Sequence, residues 1–238
     1  MSSSRRSLVR TLVLASLALL AFVPGARAAE TTVQSLEVPA AGTIVWPKVG
    51  VRTQPDLKAP LVATLSEFTP QYYRRIVVAT RAKLDEAGRP VWYRISVPGR
   101  PNGRVGWVPA SSVSVKPVQR EIVIHRGARR LELWEKGKLT FTTTVAVGRP
   151  GRETPLGFYY VTHRFVPSDS FLGKFAFATS AYSKMSEWPG GGVVGLHGTS
   201  RPELLGQAVS SGCIRLSNEA VLRLSKRVGL GTPIRVLR

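Results

Sequence analysis

The chain is nearly without cysteine: Cys213 is the only one in 238 residues. A single thiol forms no intrachain disulfide, so a small disulfide-stapled fold is excluded. A structural zinc site of the usual kind needs at least two cysteine ligands and is excluded with it. Acidic residues are scarce, 14 Asp and Glu against 34 Lys and Arg, for a formal charge of +20. No repeat is visible at a solenoid or propeller period, which removes the repeat architectures. After the first two dozen residues no apolar run approaches the ~20 residues that a spanning helix needs. What is present, 43% hydrophobic and 20% charged residues, is enough to bury a core. Wholesale disorder is therefore excluded, and the length allows one or two domains.

Residues 1–28 read as an export leader. Arg5, Arg6 and Arg10 form a basic start, Thr11 to Val23 is a largely apolar run, Pro24 and Gly25 break it, and Ala26-Arg27-Ala28 supplies small residues ahead of a cleavage point before Ala29. The run is too short to span a bilayer. An uncleaved amphipathic anchor is the alternative. Ser4-Arg5-Arg6 also fits a twin-arginine signal, and the general and twin-arginine routes both stay open. Loss of the leader takes the formal charge from +20 to about +16. A surface this basic attracts polyanions. The leader points to the periplasm or cell wall, where anionic wall polymers are the candidates, so nucleic acid is not expected as a partner and no membrane span is expected in the mature chain. A solvated arginine-rich surface is the plainer account of the same charge.

Residues 29–42 are small and polar and read as a tether. Residues 43–116 hold short β-branched segments between turns, including Gly50-Val51-Arg52, Ile76-Val77-Val78 and Val105-Gly106-Trp107-Val108, a spacing that suggests a small barrel or sandwich. Residues 117–238 form a second block that opens on strands at Glu121–His125, Arg130–Trp134, Leu139–Val147 and Phe158–Arg164. Its clearest helix is capped by Ser217-Asn218, with Glu219 at the positive end, Val221, Leu222, Leu224 and Val228 on one side, and Gly229 as the stop. A shorter helix is expected from Arg201 or Pro202 to Val209.

The chemistry gathers between His197 and Arg215. A lone thiol kept in an oxidising compartment needs a reason, and a thiol with a histidine suggests a nucleophile and its base. A small buried hydrophobe is the other use of such a cysteine. Gly212 permits a tight turn that exposes the Cys213 sulfur. Neighbouring backbone N–H groups could stabilise an oxyanion, and His197 with Arg215 could favour the thiolate. The other histidines, His125 and His163, lie in expected strands. A papain-like arrangement places cysteine before histidine, whereas here His197 comes first and none follows Cys213.

His197-Gly198-Thr199 followed by Ser210-Ser211-Gly212-Cys213-Ile214-Arg215-Leu216-Ser217-Asn218 resembles the signature of the L,D-transpeptidase catalytic domain. Thr154-Pro155-Leu156-Gly157 resembles that family's Thr-Pro-x-Gly turn, and the likeness covers residues 120–238. The sequence departs from many members at Ser211, where they carry a second histidine. In the first block, Gly50-Val51-Arg52-Thr53-Gln54-Pro55, Trp92-Tyr93-Arg94-Ile95 and Gly103 to Val108 resemble bacterial SH3-like modules. The two resemblances imply a mainly β protein: an SH3-like small β-barrel, then an L,D-transpeptidase-type β-sandwich with one or two short helices.

They also imply a site. Cys213 would be the nucleophile and His197 its base, with the Gly198 backbone carbonyl orienting the ring. The N–H groups of Gly212 and Cys213 would hold the oxyanion. Ser210, Ser211, Thr199 and Arg215 would support the site or bind substrate, Arg215 either by meeting a substrate carboxylate or by holding the loop through an internal salt bridge. The substrate would be the peptide stem of peptidoglycan, joined by 3→3 cross-links in wall biogenesis and cell shape, with no cofactor and no metal. Water as acceptor would make the same site an L,D-carboxypeptidase. An inert, wall-binding domain is the non-catalytic alternative.

Overall fold

The structure, a computed structural model, describes residues 32–187 and 191–238. The expected leader and the first residues of the expected tether lie outside the described residues. The first unit is a seven-stranded sheet: β1 (Val33–Ile44), β2 (Lys48–Arg52), β3 (Leu61–Ser66), β4 (Ile76–Leu84), β5 (Pro90–Ser96), β6 (Val105–Pro109) and β7 (Val113–Pro117). Their order is β3-β2-β6-β5-β4-β1-β7. Ile44, Val49, Val51, Val77, Ile95 and Val108, from five of these strands or their edges, form one buried cluster, so the sheet curls round a single core.

Residues 33–42 are not a tether. They make most of β1, which pairs antiparallel with β4 on one side and with β7 on the other. The small residues that conceal any hydrophobic period are what this position needs. A Cβ on Gly42 would sit 1.7 Å from the Ser114 carbonyl oxygen, so only glycine lets the two backbones approach.

The second unit runs through β8 (Arg120–His125), β9 (Arg130–Glu135), β10 (Lys138–Thr144), β11 (Val147–Gly148) and β12 (Gly157–Phe165). It continues with β13 (Ala176–Tyr182), β14 (Val193–His197), β15 (Ala208–Ser210), β16 (Ile214–Arg215), α1 (Asn218–Ser225) and β17 (Pro233–Leu237). Eight strands join in the order β10-β9-β8-β17-β12-β13-β14-β16, and β11 pairs with β15. Ile122, Leu131, Val161, Phe177, Leu196 and Leu224 meet in one core, with α1 packed into it. The fold is mainly β.

Local chemistry accounts for the turns and for the departures. Lys136 (φ 50°) and Gly137 (φ 74°) both take left-handed conformations in the two-residue turn between β9 and β10, as a primed hairpin turn requires. The strand expected over Leu139–Val147 is split, because β10 ends at Thr144 and Val147 belongs to β11. The helix expected up to Val209 is only a 3₁₀ turn, Pro202–Leu204. Gly206 turns left-handed (φ 85°), and the chain leaves as β15 to pair with β11. Ser217 caps α1 by accepting the Ala220 N–H, and Ala220, Val221 and Leu224 are buried, while Leu222 faces outward.

The two units share a further apolar cluster, in which Ala41, Ile76 and Val78 of the first surround Tyr160 of β12. Tyr160 is fully buried, and its hydroxyl donates to the Ile76 carbonyl at 3.1 Å. Burial holds its phenol above the ordinary range. A buried phenol whose proton is given to the neighbouring unit ties the two together through polar as well as apolar contact. Among the described residues no helix is long and apolar enough to cross a membrane.

Candidate active site

The parallel pairing of β14 with β16 brings the two key segments together. Leu196 faces Ile214 and His197 faces Arg215, which sets Cys213, just before β16, against Gly195. The Gly195 N–H donates to the Cys213 sulfur at 3.4 Å. A side chain at 195 would start 4.0 Å from that sulfur and 3.8 Å from the His197 ring, so glycine keeps the space between them open. Cys213 and His197 line two cavities. One, of about 440 Å³, runs towards the first unit, and the other, of about 60 Å³, runs towards Phe171 and Arg215. Larger grooves of about 900 Å³ and 880 Å³ lie elsewhere and reach neither residue, so volume alone does not pick the site.

The His197 ring is oriented by its own strand end. Nδ1 lies 2.6 Å from the Gly198 carbonyl oxygen. A carbonyl only accepts, so Nδ1 carries the hydrogen and Nε2 is left with its lone pair. The ring is almost completely buried. Its pKa is lowered to about 4, chiefly by burial and also by Arg215, while the Gly198 and Leu172 carbonyls pull the other way. Burial also pushes the Cys213 thiol up, more than the Gly195 N–H and Arg215 draw it down. Both shifts favour the neutral thiol and neutral ring over the expected thiolate, and no hydrogen bond joins sulfur to ring among the described residues.

Gly212 needs its glycine: φ is 119°, and a Cβ there would meet the Ser183 side chain at 3.0 Å. Its N–H is not free for an oxyanion, because it donates to the Ser210 hydroxyl at 3.1 Å. Ser210 is buried and passes its own proton to the Cys213 carbonyl at 2.6 Å, so it shapes the turn that carries the thiol. The Cys213 N–H has no partner among the described residues and stays available. Thr199 is also spent on structure: its hydroxyl accepts the Arg201 N–H and its carbonyl accepts from Asn218. Ser211 accepts from Arg152 at 3.5 Å on the rim of the smaller cavity.

Arg215 forms no ion pair among the described residues. Its guanidinium lies 4.7 Å over the Phe171 ring, and its buried Nε lacks a partner. The internal salt bridge that was one expectation for Arg215 is therefore absent among the described residues. His125 is remote, paired with Glu132 at 3.2 Å in the large groove. His163, in contrast, lies in the 440 Å³ cavity with Cys213. No three His, Cys, Asp or Glu side chains gather to hold a metal ion among the described residues.

Two supporting residues lie in the quoted motifs but were assigned no role at the site. The Thr154 hydroxyl is fully buried, accepts the Gly148 N–H at 3.0 Å and donates to the Gly212 carbonyl at 2.9 Å. It anchors the cysteine turn to β11, and the Thr-Pro-x-Gly resemblance was its only sign. Asn218 accepts the Lys174 N–H at 2.9 Å and donates to the Thr199 carbonyl at 3.1 Å. A Cβ on Gly173 or Gly198 would lie 2.3 Å or 2.2 Å from its Oδ1, so both glycines make room for it.

Residues 119–236 match the family model described as the L,D-transpeptidase catalytic domain, YkuD. The C-terminal half of the chain belongs to that family. YkuD of Bacillus licheniformis, named as an L,D-transpeptidase, is 34% identical over 115 residues, which cover 48% of this chain and 64% of the relative. YkuD of Bacillus subtilis, named likewise, is 31% identical over 117 residues, covering 49% and 65%. The chain thus spans just under two thirds of the length of these relatives. A solved L,D-transpeptidase from Mycobacterium smegmatis superposes with a TM-score of 0.43 at 15% identity, over 87% of this chain and all of that one. The L,D-transpeptidase domain contains Cys213, His197 and every residue that shapes them in the second unit.

Proposed function

We propose that the protein is an exported peptidoglycan L,D-transpeptidase that forms 3→3 cross-links through a Cys213 acyl-enzyme. The observation that carries this reading is a neutral imidazole, its Nδ1 committed to the Gly198 carbonyl, lining the same cavity as the one cysteine of an L,D-transpeptidase domain. The Cys213 proton passes to His197 Nε2 as sulfur attacks the carbonyl of the third stem residue. The free Cys213 N–H meets the developing oxyanion, and one such donor is worth on the order of 3 kcal/mol. The C–N bond to terminal D-alanine then breaks, and the imidazolium returns its proton to the departing amine. An amine of a second stem attacks the thioester and loses its proton to His197, and the thiol is restored. Arg215 receives a stem carboxylate. The leader at residues 1–28 delivers the protein to the periplasm or wall, and the basic surface favours anionic wall polymers. The first unit, residues 43–116 with β1 completing it, is an SH3-like domain in this reading.

The test is product analysis on tetrapeptide stems with intact mass spectrometry. Wild type should release D-alanine, form a 3→3 dimer and show one thioester adduct, all absent from Cys213→Ala. Free D-alanine without dimer makes the protein a carboxypeptidase. No adduct and no product leaves a wall-binding protein.

A further inference from the structure

Two observations bring the first unit to the cavity that ends on Cys213. The first is a wall. Tyr73, in the loop between β3 and β4, lays its ring on His163 of β12 with centroids 4.0 Å apart, and His163 continues onto Phe165 at 5.8 Å. All three line the 440 Å³ cavity with His197 and Cys213. Tyr73 is 49% exposed, and neither its hydroxyl nor the His163 ring has a hydrogen-bond partner among the described residues. The ladder thus offers apolar faces and unspent polar edges to whatever lies in the cavity, as rings at binding surfaces do.

The second is a clamp. Arg100, between β5 and β6, donates to the carbonyls of Gly191, Ser183 and Met185 at 2.8–2.9 Å. Its guanidinium also covers the Tyr182 ring at 4.8 Å. Asn102 donates to the Tyr182 carbonyl at 2.7 Å and accepts its N–H at 3.0 Å. The segment so held is a wall of the site: Ser183, Met185 and Gly192 border the smaller cavity with Cys213 and Arg215. A Cβ on Gly192 would lie 1.8 Å from the Met185 carbonyl oxygen and 2.5 Å from the Arg100 guanidinium, so the fit admits only glycine.

The charge of the lining suggests the ligand. Among the described residues no Asp or Glu lines either cavity, Arg74 and Arg75 stand at the end formed by the first unit, and Arg215 stands at the other. Arg74 pairs with Glu67 and Arg75 is spent on the Ser66 and Phe68 carbonyls. Glu67 offsets the charge of Arg74, whereas Arg75 keeps its charge and biases the potential towards anions without offering free donors. Cations at both ends with no carboxylate between them suit an extended chain carrying carboxylates.

We propose that the first unit is a working wall of the substrate cleft: Tyr73, with His163 and Phe165, contacts a carboxylate-bearing peptide, and Arg100 and Asn102 are positioning residues that hold the facing wall. The ligand class rests on the acyl-transfer reading above. The architecture does not.

The experiment uses the full chain and four variants: Tyr73→Ala, Tyr73→Phe, the pair Arg100→Ala with Asn102→Ala, and Arg89→Ala as an exposed control paired only with Asp85. Arg100→Lys stands in if the pair does not fold. Steady-state kinetics are measured on a tetrapeptide stem. Separately, Cys213 is alkylated with iodoacetamide and with a bulky pyrene maleimide. Tyr73→Ala should raise KM about tenfold with kcat within about twofold, Tyr73→Phe should stay within about threefold of wild type, and Arg89→Ala should match it. The clamp variant should raise the ratio of bulky to small alkylation rates at least about fivefold, because a loosened wall admits the larger reagent. An unchanged KM in Tyr73→Ala overturns the contact surface. An unchanged labelling ratio overturns the clamp. If wild type turns over no stem peptide, the acyl-transfer reading falls with the ligand class, and the labelling ratios of Tyr73→Ala and of the clamp variant alone decide the architecture.

Discussion

Replacing His197 by Gln should remove a specific acid sensitivity from the folded protein. The unfolded imidazole takes up its proton near 6.5, but the buried ring does so only near 4. Between those values the unfolded chain binds more protons than the folded one, so stability is full above about pH 6.5 and falls as the pH drops towards 4. With 1.36 kcal/mol for each unit of pKa difference, His197 costs the wild type about 2.5 kcal/mol between about pH 7.5 and pH 4.5. Glu135 contributes in a lower window. Arg227 and then Arg120 hold its carboxyl at about 2 against an ordinary 4.5, so its contribution is lost only as the pH falls below 4.5. The assay is urea denaturation of wild type and His197→Gln across this range, and the difference between the two curves isolates the imidazole. Parallel loss of stability in both proteins would falsify the lowered pKa of the buried ring, because it would mean that His197 takes up its proton at the same pH folded and unfolded. A wild type that instead gained stability over His197→Gln as the pH fell towards 6.5 would mean that sulfur and ring rest as thiolate and imidazolium.

Four further outcomes follow from the same geometry. Thr154→Val keeps the shape but leaves the buried Gly148 N–H and Gly212 carbonyl without partners, so it should lose about 2–5 kcal/mol in denaturant titration, whereas Thr154→Ser should lose about 1 kcal/mol. Gly198→Ala drives a methyl against Asn218 Oδ1, and should cost about 1–3 kcal/mol and slow acylation of Cys213, as followed by mass spectrometry. Because burial raises the thiol pKa, the rate of iodoacetamide labelling should keep climbing past about pH 9, with no plateau at neutral pH of the kind a preformed thiolate gives. A carbapenem should leave one adduct on wild type and none on Cys213→Ala in intact mass spectra.

The β character was legible because both blocks are short β-branched segments between turn residues, and the capped helix because Ser217 and the buried Val221 and Leu224 follow helical spacing. β1 was hidden for the opposite reason. Its residues are small, its pairing is decided by partners more than thirty residues away, and Gly42 counts for what it lacks rather than for any pattern. The helix expected after Arg201 failed at Gly206, where tertiary pairing of β15 with β11 outweighs a local preference.

At the candidate site, the residues proposed for the chemistry were named from sequence, whereas of the groups that position them only the Gly198 carbonyl was. Cys213, His197 and Arg215 announce themselves by type and by short spacing. Asn218 looks like half of a helix cap, yet its amide joins the turn that carries the Gly198 carbonyl to the turn at Lys174. Gly212 has the look of an oxyanion donor, yet Ser210 consumes its N–H two residues upstream. Arg100 sits 113 residues before the cysteine and reaches the site only because two sheets share a buried seam around Tyr160. Spacing along the chain encodes the groups that must be adjacent on one strand or one turn. It does not encode the hydrogen bonds that cross between sheets, and those decide whether Cys213 and His197 face an open cavity as neutral partners. The chemistry of the pair is therefore a property of the two-unit fold, and a variant far from Cys213 that loosens the seam should change how the thiol reacts without altering either reacting side chain.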